Sequence, residues 1–568
     1  MERCSWKRGK ARKASRITKE KGGYAMRKRM LSTLLAFCVG LSLCACGGGG
    51  QTAEETTAGE TTEASSEAGT AGVNQGPIQA QEGEVQSDKD TLVVAFDREP
   101  ATLDPLGNNV TVKRMIEGGI FDTLLKFDEN LQPAPCLAES WEQVDELTWK
   151  FNLRKDAKFH NGDPVTSQDV KFSFLRVHNG TQGNDGTNGF DPEGYETPDD
   201  YTFILKTLEP YAFTEAQLCN QALSIVPEKV VTEMGDDAFG RAPIGSGPYK
   251  FVSWTAGDNI TVERNDDYWG EKSNLKTIKF RVITESASRT IDLESGGIDI
   301  ALSLPTTDAD RINENPDTQL IVSTGATDRY IAFNCQKEIF QDKRVRQALN
   351  YATDKEAIRI VCYGENTSEP MDSVVPSTLP GHTSDLTPYD YDVEKAKALL
   401  EEAGYGDGFT VEFMYLANST NNMLAELLQQ MWAQVNVTLE LKPTESGALT
   451  TALNKGEQEL CCAGTSFAIF EAGAGLYNMF HSDRMYSGSA RANLSDPEVD
   501  AVLDEITRTT DAEARAELVV EAQKLIHEDS PFIYLAFTKN IIGAGSKVRG
   551  FNPVPTAMYD FRTVYFVE

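Results

Sequence analysis

PAPCLAESWEQVDELTWKFNLRKDAKFHNGDPVTSQDV, residues 133–170, carries three structural signals in succession. Trp149 to Arg154 alternates bulky and polar side chains, the period of a strand with one face against a core. Residues 155–162 (KDAKFHNG) interrupt that period with turn formers. Asp163 to Phe174 then takes helical spacing, with Thr166 or Ser167 placed to cap the backbone amides of the first turn. Outward from here the pattern repeats. Thr91 to Phe96 (TLVVAF) is apolar enough for a buried strand, and after Thr102-Leu103-Asp104-Pro105 a helix is expected that ends in Ile120-Phe121-Asp122-Thr123-Leu124-Leu125. Strands and helices that alternate to the end of the chain predict an α/β protein with mixed or mainly parallel sheets. Residues 90–568 are too many for one hydrophobic core, so two or three domains are expected.

The N-terminal region has a different chemistry. The first 45 residues hold 12 Lys/Arg against 2 Asp/Glu, and the remainder holds 42 against 84. Arg27, Lys28 and Arg29 precede an apolar run from Met30 to Leu43, too short to span a bilayer but right for the central region of a signal peptide, assigned to residues 26–45. The run ends in Leu43-Cys44-Ala45-Cys46, which resembles a bacterial lipobox and marks Cys46 as the residue that receives diacylglycerol. Residues 1–25 match no targeting pattern, and Lys21-Gly22-Gly23 can be encoded by a purine-rich ribosome-binding sequence ahead of Met26, so they are expected to be untranslated. Residues 46–89 have almost no large apolar side chains and are expected to form a disordered acidic tether, of a length suited to a Gram-positive type of envelope.

The acidic balance excludes a nucleic-acid face, which needs clustered Lys and Arg. Cys136, Cys219, Cys335, Cys362, Cys461 and Cys462 show no CxxC spacing and are expected as core residues, the last two alternating across a strand. Enzyme signatures are missing: there is no GxSxG elbow, no GxxxxGK[ST] phosphate loop and no GxGxxG opening a helix. His527-Glu528 imitates the start of HExxH, but Pro531 stands where the second histidine would be, so no metal site is expected. His160 is expected to be structural. The loop at residues 179–193 is rich in Asn and Asp oxygens but lacks the ligand order of an EF-hand. Between residues 343 and 358, Val345, Ala348, Leu349, Ala352 and Ile358 fall near helical spacing and predict one amphipathic helix, whose basic start runs against the dipole unless Arg344 and Arg346 pair elsewhere.

Beyond these local signals the chain resembles the family 5 extracellular solute-binding proteins, the group that includes peptide- and nickel-binding receptors of ABC importers. The matching stretches are LDP at 103–105, residues 133–170, GSGPYKF at 245–251, RNDDYWG at 264–270, SGGIDI at 295–300, IAFN at 331–334, FQDKRVRQALNYATDKEAI at 340–358, YDVEKAKALLEEAGY at 391–405 and DPEVDAVLDE at 496–505. They occur in family order over nearly all of residues 90–568. The resemblance implies a two-lobed periplasmic-binding-protein fold of class II type, with hinge strands and an extra subdomain in the N-terminal lobe. Lobe one would comprise residues 90–318 and 532–568, and lobe two residues 319–531. It implies a monomer that uses no cofactor, catalyses nothing, captures a small solute in the cleft and delivers it to the permease subunits of an ABC importer. A receptor of the same fold used for sensing or adhesion is the alternative, as is a non-peptide solute such as an oligosaccharide or metal chelate.

The resemblance also locates the cleft. Peptide-binding relatives present an Asp to the peptide amine within a segment like GWxxDYxDP, and binders of short peptides present an Arg near RPYNP. The corresponding stretches here are residues 464–471 (GTSFAIFE) and 415–421 (YLANSTN), where Ala468 and the Asn418-Ser419 pair stand in place of the charged anchors. The residues expected to line the cleft are therefore Gly464, Thr465, Ser466, Phe467, Phe470 and Glu471 from one stretch, with Tyr415, Asn418, Asn421 and Tyr330 facing them. A zwitterionic dipeptide bound by both termini is not expected there, because burying its charges unpaired costs several kcal/mol. For the membrane anchor, Cys46→Ser is expected to move the protein from the membrane to the soluble fraction and to abolish labelling by a radioactive fatty acid. Membrane retention of the labelled variant would contradict the anchor.

Overall fold

The computed structural model describes residues 78–568 except 82, 107–110, 129, 181–184, 466, 468, 488 and 555–558. Cys46, the signal peptide and the upstream extension lie outside the described residues. Two long strands, Thr318–Phe333 and Phe532–Gly545, pair antiparallel from Thr318 opposite Gly545 to Ala332 opposite Phe532. They lie at the middle of the largest sheet, which has eleven strands among the described residues. On one side follow Ile300–Ala301, Thr91–Phe96, Thr277–Val282, Asn259–Arg264 and Tyr249–Thr255; on the other follow Leu460–Ala463, Phe409–Leu416 and Val437–Thr444. The sheet is mixed. Thr91–Phe96 is parallel to both neighbours, as is Phe409–Leu416, whereas the pairs that involve the two long strands are antiparallel.

Alternation along these strands distributes the cores. Tyr330 and Ala332 enter a cluster with Phe467, Phe480 and Phe532, and their neighbours Ile331 and Phe333 enter another with Leu349, Phe413 and Trp432. Cys461 and Cys462 divide between the same two clusters, and the six cysteines are free thiols. The other half of the sheet has its own core around Leu92, Val94, Ile116, Ile260, Ile278 and Ile542.

The stretch at residues 133–170 builds a separate layer. Ala138–Gln143, Thr148–Leu153, Thr202–Lys206 and Glu196–Asp199 form an antiparallel four-stranded sheet. Helix Ser167–Asn179 covers it, with Phe174 edge-on to Phe203 at 5.5 Å. Its cap is Thr166, whose N–H donates to Asp169 at 2.9 Å.

Four details differ from the sequence expectations. The helix before Asp122 is Thr111–Ile120 and stops at Ile120, whose carbonyl accepts the Gly247 N–H at 2.9 Å. Gly245, Gly247 and Pro248 of GSGPYKF predict turn conformations by residue type, but the two glycines serve that junction by leaving space and not by left-handed turns: a Cβ on Gly245 would lie 2.0 Å from the Ile120 oxygen, and one on Gly247 would lie 2.7 Å from the Gly119 oxygen. Residues 343–358 form two helices, Lys343–Tyr351 and Lys355–Ile358, because Asp354 turns its carboxylate back to cap the Ala357 N–H at 3.0 Å. The basic start is offset as required: Arg344 pairs with Asp342, and Arg346 donates to the Asp529 carbonyl at 2.8 Å. Lastly, the chain is packed from Ile78, within the stretch expected as tether: Ile78 is 3% exposed and exchanges backbone hydrogen bonds with Phe551 and Gly550, and Glu84 pairs with Arg549.

His160 is a structural residue with a consequence for stability. Its Nδ1 accepts the Gly245 N–H at 3.2 Å and its Nε2 lies 3.0 Å from the Gly247 carbonyl, so the neutral Nε2–H tautomer fits both partners. Burial pushes the imidazole down to about 4, the Gly247 carbonyl opposing. A depressed folded-state value contributes stability above the unfolded value near 6.5 and loses it as pH falls toward 4. Unfolding free energy measured by denaturant between pH 7 and pH 4 is expected to fall, and His160→Gln is expected to flatten part of that slope. An unchanged slope in the variant would contradict this role.

Candidate functional site

Beside the end of helix Thr111–Ile120 lies a cavity of about 530 Å³. One wall comes from that helix, through Arg114, Met115 and Gly118; another comes from residues 121–136; a third comes from the C-terminal segment around Tyr559, Phe561 and Arg562. Phe470 enters from the opposite half of the large sheet and meets Phe127 edge-on, with ring centroids 5.1 Å apart. Phe470 also has φ of 54°. A bulky side chain in the left-handed region is strained, and such strain is retained where surrounding contacts or function demand it.

The polar end of the cavity is organised by Asp122, which is 6% exposed. Its carboxylate accepts from Ser246 Oγ at 3.0 Å, Tyr268 OH at 3.0 Å and Trp269 Nε1 at 3.2 Å. Burial raises this carboxyl above its ordinary value, against the pull of the three donors. Nearby, Arg562 Nε bonds side-on to Asp560 at 3.0 and 2.9 Å. Burial pushes Asp560 up, but the bonded guanidinium outweighs it and holds the carboxyl below its usual value. Asp122 is occupied by fixed donors, and no group of three or more His, Cys, Asp or Glu among the described residues is disposed to hold a metal ion.

The residues expected from sequence to line a cleft are placed as follows. Phe470 lines the cavity. Tyr330 is fully buried, stacked on Phe532 at 3.9 Å, and its OH meets Thr465 Oγ1 at 2.8 Å. Thr465 also donates its N–H to the buried Asp328 carboxylate, and a Cβ on Gly464 would lie 2.5 Å from the Asp328 carbonyl oxygen, so this segment is fastened to the long central strand. Phe467 packs in the core against Gly475, and Tyr415 packs on Phe413 at 5.2 Å. Glu471 faces Arg515 at 3.3 Å. Asn418 caps helix Ser419–Ala433 by accepting the Asn421 N–H, and Asn421 donates to the Leu416 carbonyl. Ser466 lies outside the described residues, as does Ala468.

Sequence reading passed over Arg114, Asp122, Phe127 and the 559–562 segment. The available signal was faint: Lys113, Arg114 and Glu117 are charges set within an otherwise apolar helix. Asp122→Ala is expected to leave the hydroxyls of Ser246 and Tyr268 and the Trp269 N–H unpaired, lowering unfolding free energy by about 3 kcal/mol. A loss below about 1 kcal/mol in denaturant titration would show that Asp122 is not the hub of this wall.

Comparison with known proteins gives this geometry its context. Glutathione-binding protein GsiB of Pectobacterium atrosepticum is 29% identical over 487 residues, which cover 84% of this chain and 94% of the relative. Heme-binding protein A of Haemophilus influenzae is 29% identical over 467 residues, covering 77% and 85% of the two chains. Among solved structures, the ABC transporter-associated periplasmic binding protein DppA from Helicobacter pylori, in complex with peptide STSA, superposes with a TM-score of 0.77 at 27% identity, over 84% of this chain and 98% of that one. The fold is accordingly that of the two-lobed periplasmic binding proteins. The model described as "Bacterial extracellular solute-binding proteins, family 5 Middle" matches residues 132–487, and the chain belongs to that family.

Proposed function

We propose that this protein is the extracytoplasmic receptor of an ABC importer, capturing a peptide-like solute between two lobes and delivering it to the membrane permease. The observation that carries the reading is the cavity of about 530 Å³ into which Phe470 projects from one half of the large sheet against walls built by the other. A space of that size suits a small solute. The relatives named above support the class, since one is a glutathione-binding protein and another is a periplasmic binding protein in complex with a tetrapeptide. The likeness to a heme-binding protein favours a second reading, a non-peptide solute held in the same cavity.

In this reading residues 90–318 and 532–568 form lobe one, residues 319–531 form lobe two, and the paired long strands act as the hinge. In this reading the protein binds its solute without transforming it, a role supported by the fixed donors that Asp122 and Asp560 already accept. A lipid on Cys46 would hold the receptor at the outer face of the membrane, where delivery to a permease requires it.

Lobe closure excludes water from the cleft and compacts the particle. A saturating solute found by a thermal-shift screen of peptides is expected to reduce the radius of gyration in X-ray scattering. A tight solute that leaves the scattering curve unchanged would refute closure. Ordinary dipeptides are expected to bind no tighter than about 0.1 mM, close to −5.5 kcal/mol, and a micromolar dipeptide in calorimetry would overturn that specificity.

A further inference from the structure

We propose that Arg114 anchors an acidic group of the solute, so that the cavity selects molecules bearing a carboxylate. The inference rests on the binding role just proposed and names the chemistry of its ligand. Arg114 lies on helix Thr111–Ile120, is 8% exposed and lines the cavity. Its guanidinium has no hydrogen-bond acceptor among the described residues, and its Nε is buried without a partner. The other four buried arginines among those residues all have acceptors: Arg289 and Arg346 bond backbone carbonyls, Arg359 pairs with Glu356, and Arg549 pairs with Glu84. Of these five, Arg114 is the one without an acceptor among the described residues, and it lines the cavity.

Among the described residues no carboxylate bonds Arg114. Glu117, one turn away, acts on it only through its charge and lies 2.9 Å from the buried Lys113. Asp122 is held by three donors, Asp560 by Arg562, and Asp128 by the backbone amides of Asn130 and Gln132 at 2.8 and 2.9 Å. Burial accordingly lowers the Arg114 pKa, with only Glu117 opposing. A buried charge without a partner is costly, and a guanidinium meets a carboxylate through two parallel bonds, which makes an acidic solute the natural complement.

The neighbouring surface leaves room. Gly118 follows Arg114 by four residues, on the same helix face, and also lines the cavity. A Cβ there would lie no closer than 3.8 Å to any neighbour, so packing does not require glycine at this position. Its missing side chain keeps the wall beside the guanidinium bare.

The test uses succinate as the probe, with sodium chloride at equal ionic strength as the reference, and thermal unfolding as the readout. Succinate at about 50 mM is expected to raise the melting temperature of the wild type by about 2 °C or more over chloride, and to leave Arg114→Met unmoved. Arg114→Met is expected to fold, since it removes an unpaired buried charge and keeps the volume. Gly118→Leu, which fills the wall and keeps the charge, is expected to lose the response as well and serves if the first variant is unstable. Equal stabilisation of wild type by both salts overturns the proposal, as does a succinate response retained by Arg114→Met or by Gly118→Leu. Should the peptide screen find no ligand while succinate acts through Arg114, the peptide reading falls and the anion site stands.

Discussion

The pairing of Thr318–Phe333 with Phe532–Gly545 is the contact on which the remaining architecture depends. Each half of the large sheet contains a strand of this pair. The pair is secured by side chains as well as by its ladder: Tyr330 lies on Phe532 with the rings 3.9 Å apart and 11° from parallel. Because neighbouring residues on a strand face opposite sides, the same few positions also seed two separate cores, one with Phe467 and Phe480 and one with Phe413 and Trp432. Displacing the register by one residue would exchange those faces, which is why the pairing is so tightly specified.

Around that frame, the buried polar groups divide by how they are satisfied. Asp122 has three fixed donors, and His160 sits between two glycine backbones; both are parts of the scaffold that hold the loop after helix Thr111–Ile120 against GSGPYKF. Asp328 is intermediate. One of its oxygens receives the Thr465 N–H, the other has no hydrogen-bond partner, and burial pushes the carboxyl up to about 7 against that single bond. Arg114 is the extreme, a buried cation with no hydrogen-bond acceptor among the described residues. A buried cation that lines a cavity and lacks a hydrogen-bond acceptor is the kind of unsatisfied group that calls for a ligand.

Much of the fold was legible in the chain. The alternation from Trp149 to Arg154, the cap at Thr166 and the apolar run at Thr91 each report on contacts within a few residues, and local physics is enough to interpret them. The family-ordered stretches from LDP to DPEVDAVLDE extended those local signals to a two-lobed architecture. Where prediction and structure part, the missing information was non-local. Helical spacing through residues 343–358 concealed a break because Asp354 supports either continuation or a new cap, and a hydrogen bond from Trp432 Nε1 to Thr353 Oγ1 at 3.0 Å accompanies the second. Gly245 and Gly247 resemble turn residues in sequence, yet their requirement is set by a helix end more than a hundred positions earlier.

The candidate site shows the same division more sharply. Sequence by itself determined the class of molecule, an acidic exported α/β receptor without catalytic motifs, because composition, periodicity and motif order are written along the chain. It also marked residues 464–471 and 415–421 as the segments that face a solute in relatives. Only the tertiary structure decided what those side chains do: Asn418 is spent on a helix cap, Glu471 faces Arg515, Tyr330 fills a core, and Phe470 reaches the cavity. Only the tertiary structure, likewise, brought Arg114, Phe127 and the 559–562 segment around one cavity. The reason is physical. Whether a charged side chain is solvated, paired or left facing an empty volume depends on what the rest of the chain places within a few ångströms, and that is a property of packing, not of spacing along the sequence.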